Sequence, residues 1–274
     1  MVQKSPFRYP GGKSRAVKIL EKYFTDVDSF CSPFLGGGSF EIYMAEKGKK
    51  VYGYDYFDLL VNCWNQLLHN KDAFYNELLK YYNIFWNETH THEELRDLYY
   101  NLRDKAIYEE TDDLKKAVMF LVINRCSFSG LGMLGGFISL WTVEFTKGIV
   151  ERIKEFNVPN LSVEYMSFEE SIAKHPNERL YLDPPYIVDA QLYGSKDNDL
   201  HMTFDHKKLA DILHQRDNWV LSYNNCDEVR KLYDGYTILD PKWTYGLTKD
   251  RKMDNTSSKE VLILSKDING RLPE

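Results

Sequence analysis

Apolar positions along this chain recur in two rhythms. Short apolar runs over 28–33, 50–54, 162–166, 180–182, 219–223 and 261–265 have the length and bounding residues of strands. Between them the spacing is helical. Ser39 is placed to cap a helix reaching about Lys47, and Gly48 suits its stop. Asp58 is placed to cap a second helix, with Leu60, Val61, Trp64, Leu67 and Leu68 on one face. Thr91 and Glu94 form a capping-box pattern ahead of Leu95, Leu98, Tyr99 and Leu102. A further apolar helix covers 115–123, and Asp205 caps one carrying Leu209, Ile212 and Leu213. Strands alternate with helices on both sides of a mostly helical stretch. The pattern predicts an α/β fold: a doubly wound, mostly parallel sheet with a helical insertion. The expected division is one domain from 1–64 and 161–274, and an inserted module from 65–160.

Composition adds little to that picture and removes several alternatives. The hydrophobic share, 43%, is enough for a sizeable core, and the charged share, 28%, is ordinary. No apolar run approaches the roughly 18 residues of a membrane span, and the N-terminus has no apolar signal core. A cytoplasmic protein with no membrane partner is therefore expected. Cys31, Cys63, Cys126 and Cys226 are far apart, so neither a zinc site nor a disulfide framework is indicated. The seven histidines form no ligand constellation: His90 and His92 flank a helix start, and His201 and His206 lie near a cap. No metal is expected. The net charge of −6 argues against a protein that coats nucleic acid, but local charge sets phosphate contacts. Residues 1–22 carry six basic side chains against one acid, and 241–259 carry five against two, among them Lys249 and Arg251.

The sharpest chemical signal is Asp183-Pro184-Pro185-Tyr186, directly after the apolar 180–182 run. Two prolines fix φ and remove two backbone donors. The chain must leave the strand's carboxyl end in a stiff turn, where ligands sit in open α/β sheets. The turn offers the Asp183 carboxylate, the Pro184 carbonyl and the Tyr186 ring. Two acceptors and one stacking plane match a planar ring bearing an NH₂ group. The second signal is Gly36-Gly37-Gly38 between a strand and a helix, where backbone can approach a ligand and the helix N-terminus adds a positive field. Asp55, ending the next strand, is placed to hold ribose hydroxyls. A dinucleotide fingerprint would need glycine at 41, where Glu41 stands; a phosphate-binding loop ending at Gly12-Lys13-Ser14 would need it at 7, where Phe7 stands. The third signal is Arg8-Tyr9-Pro10-Gly11-Gly12-Lys13, which alone reads as a basic turn before a helix.

Taken in order, RYPGGK (8–13), PFLGGGSF (33–40), Asp55, NRCSFSGL (124–131), DPPY (183–186), LSYNN (221–225) and SSKEVLIL (257–264) resemble the Dam-like family of DNA adenine methylases over nearly the whole chain. The resemblance implies a seven-stranded methyltransferase sheet, S-adenosyl-L-methionine as cofactor and double-stranded DNA as partner. It implies that Tyr9, Lys13, Phe34, Gly36, Gly38, Asp55, Phe168 and Asp183 line the cofactor pocket. Asp183, Pro184 and Tyr186 would hold an adenine turned out of the helix while its 6-amino group takes the methyl. The inserted module would recognise the target, with Arg125, Phe128 and Ser129, and the later Lys249 and Arg251, against DNA. A cognate restriction endonuclease is one partner such an enzyme can have; a phage or solitary enzyme would look alike.

The chain departs from the family at two places. The insertion loop usually carries aromatic-Asn-Gly-Leu followed by a basic residue, but here reads Phe128-Ser129-Gly130-Leu131-Gly132-Met133. The side chains that read base edges are thus replaced. Ser167 stands before Phe168 where an acid is common. Alternative readings are methylation of an RNA adenine or a cytosine amine, and a DNA-binding relative without turnover. The aspartate that opens DPPY, where cytosine-amine enzymes more often have serine, favours adenine.

Overall fold

The computed structural model describes residues 3–86, 89–138, 145–187, 194–195, 198–199, 203–241 and 260–269, with the backbone alone at 194–195, 198–199 and 269. In chain order the elements are α1 (Val17–Glu21), β1 (Ser29–Ser32), α2 (Ser39–Glu46), β2 (Lys50–Asp55), α3 (Asp58–His69), α4 (Lys71–Phe85), α5 (His92–Asn101), α6 (Ile107–Glu109), α7 (Asp113–Cys126) and α8 (Lys147–Glu155). They continue with β3 (Leu161–Tyr165), α9 (Phe168–Lys174), β4 (Arg179–Leu182), β5 (Gly194–Ser195), β6 (Asn198–Asp199), α10 (His206–Leu213), β7 (Trp219–Asn224), α11 (Asp227–Leu232), β8 (Thr237–Leu239), β9 (Glu260–Leu264) and α12 (Lys266–Asn269).

Seven of the described strands form one sheet in the order β3-β2-β1-β4-β7-β9-β8. From β3 to β7 every pairing is parallel; β9 runs antiparallel to both β7 and β8. This is the expected α/β methyltransferase-type sheet. The chain moves outward from β1 through β2 to β3, then returns to place β4 on the other side of β1. The order therefore reverses between β1 and β4, and a crevice opens there at the strands' carboxyl ends.

Alternation along the strands feeds two cores. Phe30 of β1 and Tyr181 of β4 pack into one cluster with Phe24, Phe40 and Trp64. Cys31, Leu180 and Leu182 face the other, with Trp219 and Tyr223. The first cluster continues without a break through Leu78, Tyr99 and Phe120 into the helices of the insertion. α3 spans residue 65, so the expected boundary falls inside a helix rather than in a linker.

Helix starts differ from expectation by one residue at two places. Gly38, in a left-handed conformation (φ 61°), is the cap of α2, and Ser39 is its first residue. Phe57 precedes α3, and Asp58 is inside it. The capping boxes at Thr91/Glu94 and the cap at Asp205 form as the spacing requires. The sequence pattern missed β8, a half-buried strand of three residues, and the capping box of Ser167 and Glu170 ahead of α9. No described helix is long and apolar enough to cross a membrane.

Candidate active site

The crevice between β1 and β4 opens into a cavity of about 410 Å³. Its floor is the loop leaving β1. Leu35 N donates to Tyr54 O at 2.8 Å, and Gly36 N donates to Asp55 Oδ2 at 2.8 Å. Asp55 Oδ1 accepts from Phe57 N at 3.1 Å. One carboxylate at the end of β2 thus ties down the loop of β1 as well as its own turn. Burial pushes Asp55 up to about 6, against the pull of these amide donors.

The glycines of this loop are needed for protein packing. A β-carbon on Gly36 (φ +49°) would lie 2.8 Å from the Tyr9 ring, and one on Gly38 would lie 2.8 Å from the Trp64 indole. Trp64 Nε1 also donates to Gly36 O at 3.0 Å. Close approach of a ligand, the reason expected from sequence, is therefore not needed to explain them. Tyr9 itself reaches the cavity wall.

Tyr9 begins a tight turn in which Gly12 N donates to Tyr9 O at 3.1 Å. The turn carries Lys13 inward until only 4% of the residue is exposed. Its ammonium lies 2.7 Å from Asp183 Oδ1, 2.9 Å from Tyr186 Oη, 2.9 Å from Gly11 O and 3.8 Å from Glu260 Oε1. Tyr186 Oη donates to Glu260 Oε1 at 2.7 Å, and its ring stacks on Tyr223 with centroids 5.9 Å apart. Burial pushes the Asp183 carboxyl up to about 6; the Lys13 ammonium pulls it down and Glu260 pushes it up. Pro185 lines the cavity beside Asp183, whereas Pro184 is buried.

The opposite wall is aromatic. Phe34, Phe168 and Phe204 meet pairwise with centroids 5.3–5.7 Å apart. Sequence reasoning named the first two and missed Phe204. It also missed Glu41, in the first turn of α2, which lines the cavity at 3% exposure and accepts from Ser32 Oγ at 2.7 Å. Burial pushes Glu41 up to about 7. An acid three residues after a glycine loop at a helix start was a usable signal for it. Glu260, buried to 4% and opening an otherwise apolar strand, was quoted without a role.

All eight residues expected at the cofactor pocket (Tyr9, Lys13, Phe34, Gly36, Gly38, Asp55, Phe168 and Asp183) line this one cavity. The residues expected against DNA separate. Phe128 is 63% exposed, at a turn where Ser129 takes a left-handed conformation (φ 53°). Arg125 is buried to 7%, in the last turn of a helix whose last ten residues are all buried. Lys249 and Arg251, and most of the segment 241–259, lie outside the described residues, as does His201. Asn124 joins the two regions: its Oδ1 accepts from Arg8 N at 2.9 Å, and its Nδ2 donates to Arg8 O at 2.7 Å and Gly130 O at 3.2 Å.

A family model for D12 class N6 adenine-specific DNA methyltransferases matches residues 9–247. The chain belongs to this family. The match begins at Tyr9, the first residue of the cavity wall, and takes in the Asp183 corner. Membership makes the chain a methyltransferase whose family acts on adenine in DNA. Comparison with curated proteins finds no match. Among the described residues of this D12 family member, no group of three or more His, Cys, Asp or Glu is arranged to hold a metal ion.

Proposed function

We propose that the cavity holds S-adenosyl-L-methionine, and that Asp183 and the Pro184 carbonyl receive the 6-amino group of an adenine turned out of the DNA duplex. The observation that carries this reading is the meeting of the Asp183 corner and the glycine loop in one cavity at the switch point between β1 and β4.

The residues fit that cofactor. Among the described residues, five carboxylates line the cavity (Glu41, Asp55, Glu169, Asp183 and Asp205) against one ammonium, that of Lys13, so their field favours a cation. The Phe34, Phe168 and Phe204 rings offer a face to an adenine, and the Asp55 carboxylate lies where ribose hydroxyls can donate to it. The volume is within the roughly 300–1,000 Å³ of small-molecule sites. When bound, the cofactor supplies a methyl group on a cationic sulfur.

The protein's own work is orientation and charge. The amine of adenine is a poor nucleophile because its lone pair is delocalised into the ring. Two acceptors, Asp183 and the Pro184 carbonyl, draw its hydrogens to one side and turn the lone pair outward. The Asp183 carboxylate also stabilises the positive charge that grows on nitrogen. The stiff double-proline turn holds this geometry without reorganisation. The Tyr186 ring would stack on the everted base. We further propose that 65–160 forms the target-recognition module on a catalytic domain of 1–64 and 161–274. Exposed Phe128 would enter the duplex beside the vacated position, with Ser129 near the base edges and the basic 241–259 segment against phosphates.

A labelled-methyl transfer assay on duplex DNA, single-stranded DNA and RNA tests the reading. Label is expected as N6-methyladenine in duplex DNA. Asp183→Ala should lower transfer by about 10²–10³-fold, the scale of removing one preorganised polar group from a reacting centre, while cofactor still binds. Label confined to RNA or to cytosine, or a fully active Asp183→Ala variant, would overturn it.

A further inference from the structure

The Lys13 ammonium sits between two carboxylates and is almost closed off from solvent. It is 2.7 Å from Asp183 Oδ1 and 3.8 Å from Glu260 Oε1, and its side chain is 3% exposed. Lys13 holds Asp183 Oδ1, so a substrate amine that takes this oxygen displaces the ammonium. Lys13 cannot leave for water, and a buried charge stripped of its partner is strongly destabilising. A shift of about 1 Å brings it within hydrogen-bond reach of Glu260. We propose that Glu260 is a positioning residue: the second carboxylate that takes the Lys13 ammonium when the substrate amine takes Asp183.

The surroundings suit this exchange. Tyr186 Oη touches all three groups, at 2.7 Å from Glu260, 2.9 Å from Lys13 and 3.3 Å from Asp183. Glu260 is fixed as the first residue of β9, opposite Asn224 of β7. Asn224 in turn bonds both the N–H and the carbonyl of Ile187, directly after Tyr186. Among the described residues, the titratable groups around Asp183 are Lys13 from the N-terminal turn, Glu260 from β9, Tyr186 from its own corner and Glu41 from α2. Asp183 and Glu260 flank the one ammonium, and the positive charge growing on the substrate nitrogen would be drawn to the carboxylate that Lys13 leaves. Glu260 lies outside the residues matched by the family model, 9–247, so the family match assigns it nothing.

The proposal rests on Asp183 receiving the amine, and its test separates the two. In the full chain, Glu260→Gln should bind S-adenosyl-L-methionine within threefold of the parent while kcat on duplex DNA falls tenfold or more. Removing a negative neighbour should move the Asp183 titration, and with it the acid limb of kcat/KM, to lower pH. The Asp183 midpoint can be followed by carboxyl carbon-13 NMR, assigned with Asp183→Ala, and this needs no turnover. The double variant K13M/E260Q, in which no ammonium competes for Asp183, should be more active than E260Q alone. An unmoved Asp183 midpoint, a parental kcat in E260Q, or a double variant weaker than E260Q would overturn the role of Glu260. A parent chain that methylates no adenine would instead overturn the reading of Asp183 on which the proposal rests, a failure distinct from that of Glu260 in a parent that does methylate adenine.

Discussion

Replacing Glu41 with glutamine should stabilise the protein in alkaline solution and leave it nearly unchanged in acid. Glu41 is 3% exposed, and burial is the largest cause of its rise from 4.5 to about 7. Asp183 pushes it further up; the hydrogen bond from Ser32 Oγ and the Lys13 ammonium pull it down. A carboxyl whose folded value is raised binds its proton more tightly in the folded state. Stability associated with that proton is therefore complete below about 4.5 and is lost as pH rises through about 7. At about 1.4 kcal/mol per unit, the ionised form costs about 3 kcal/mol at pH 8 and about 1 kcal/mol at pH 5. Glutamine keeps the shape and an acceptor for Ser32 but carries no charge. The ligand-free Glu41→Gln variant should melt roughly 6–12 °C above the parent at pH 8, at about 2–4 °C per kcal/mol for a chain of this size. The gain should shrink to a few degrees at pH 5. The same change removes a negative charge from the cavity wall, so it should weaken S-adenosyl-L-methionine more than the neutral thioether left after transfer. Scanning calorimetry across pH 5–8, with titration calorimetry for the two ligands, measures both. A variant that melts no higher than the parent at pH 8, or a gain that does not change with pH, would refute the account of Glu41 as an ionised carboxylate held against its burial.

Two further outcomes follow from the recognition side. Asn124→Ala leaves Arg8 N, Arg8 O and Gly130 O without their side-chain partner. At about 1 kcal/mol or more for each lost bond it should cost about 3 kcal/mol, and should raise KM for DNA more than Kd for the cofactor; equal losses in both would count against a link between the two regions. Phe128→Ala removes a ring that is 63% exposed, so stability should change by less than about 0.5 kcal/mol; DNA with 2-aminopurine at the target should lose its flipping fluorescence, and an unchanged signal would remove Phe128 from the duplex.

Much of the fold was legible because its signals are local. A strand buried on both faces is mostly apolar, and β4 and β9 are apolar after their first residues, Arg179 and Glu260. The Asp183 corner was legible for the same reason: strand, acid and prolines are adjacent. β8 was not, since its three residues are all half-buried and carry no alternation. The site's polar core was not legible either. Lys13, Asp183, Tyr186 and Glu260 meet across sequence separations of up to 247 residues, from Lys13 to Glu260, and no local pattern marks such a meeting. Ser39 and Asp58 are good capping residues one position too late. Gly38 and Phe57 take the caps instead because their backbone must also pack beneath Trp64 and close the Asp55 turn.

The N-terminal turn binds these parts into one device. Arg8 is stapled by Asn124 to the loop that carries Phe128; Tyr9 fills the space left by Gly36 and Gly37; Lys13 ends on Asp183. Six consecutive residues, 8–13, thus touch the loop of Phe128 and Gly130, the glycine loop after β1 and the Asp183 corner. Each contact alone has an ordinary structural explanation. Their succession within one tight turn gives the Gly130 loop a short covalent route to the Lys13 ammonium beside Asp183.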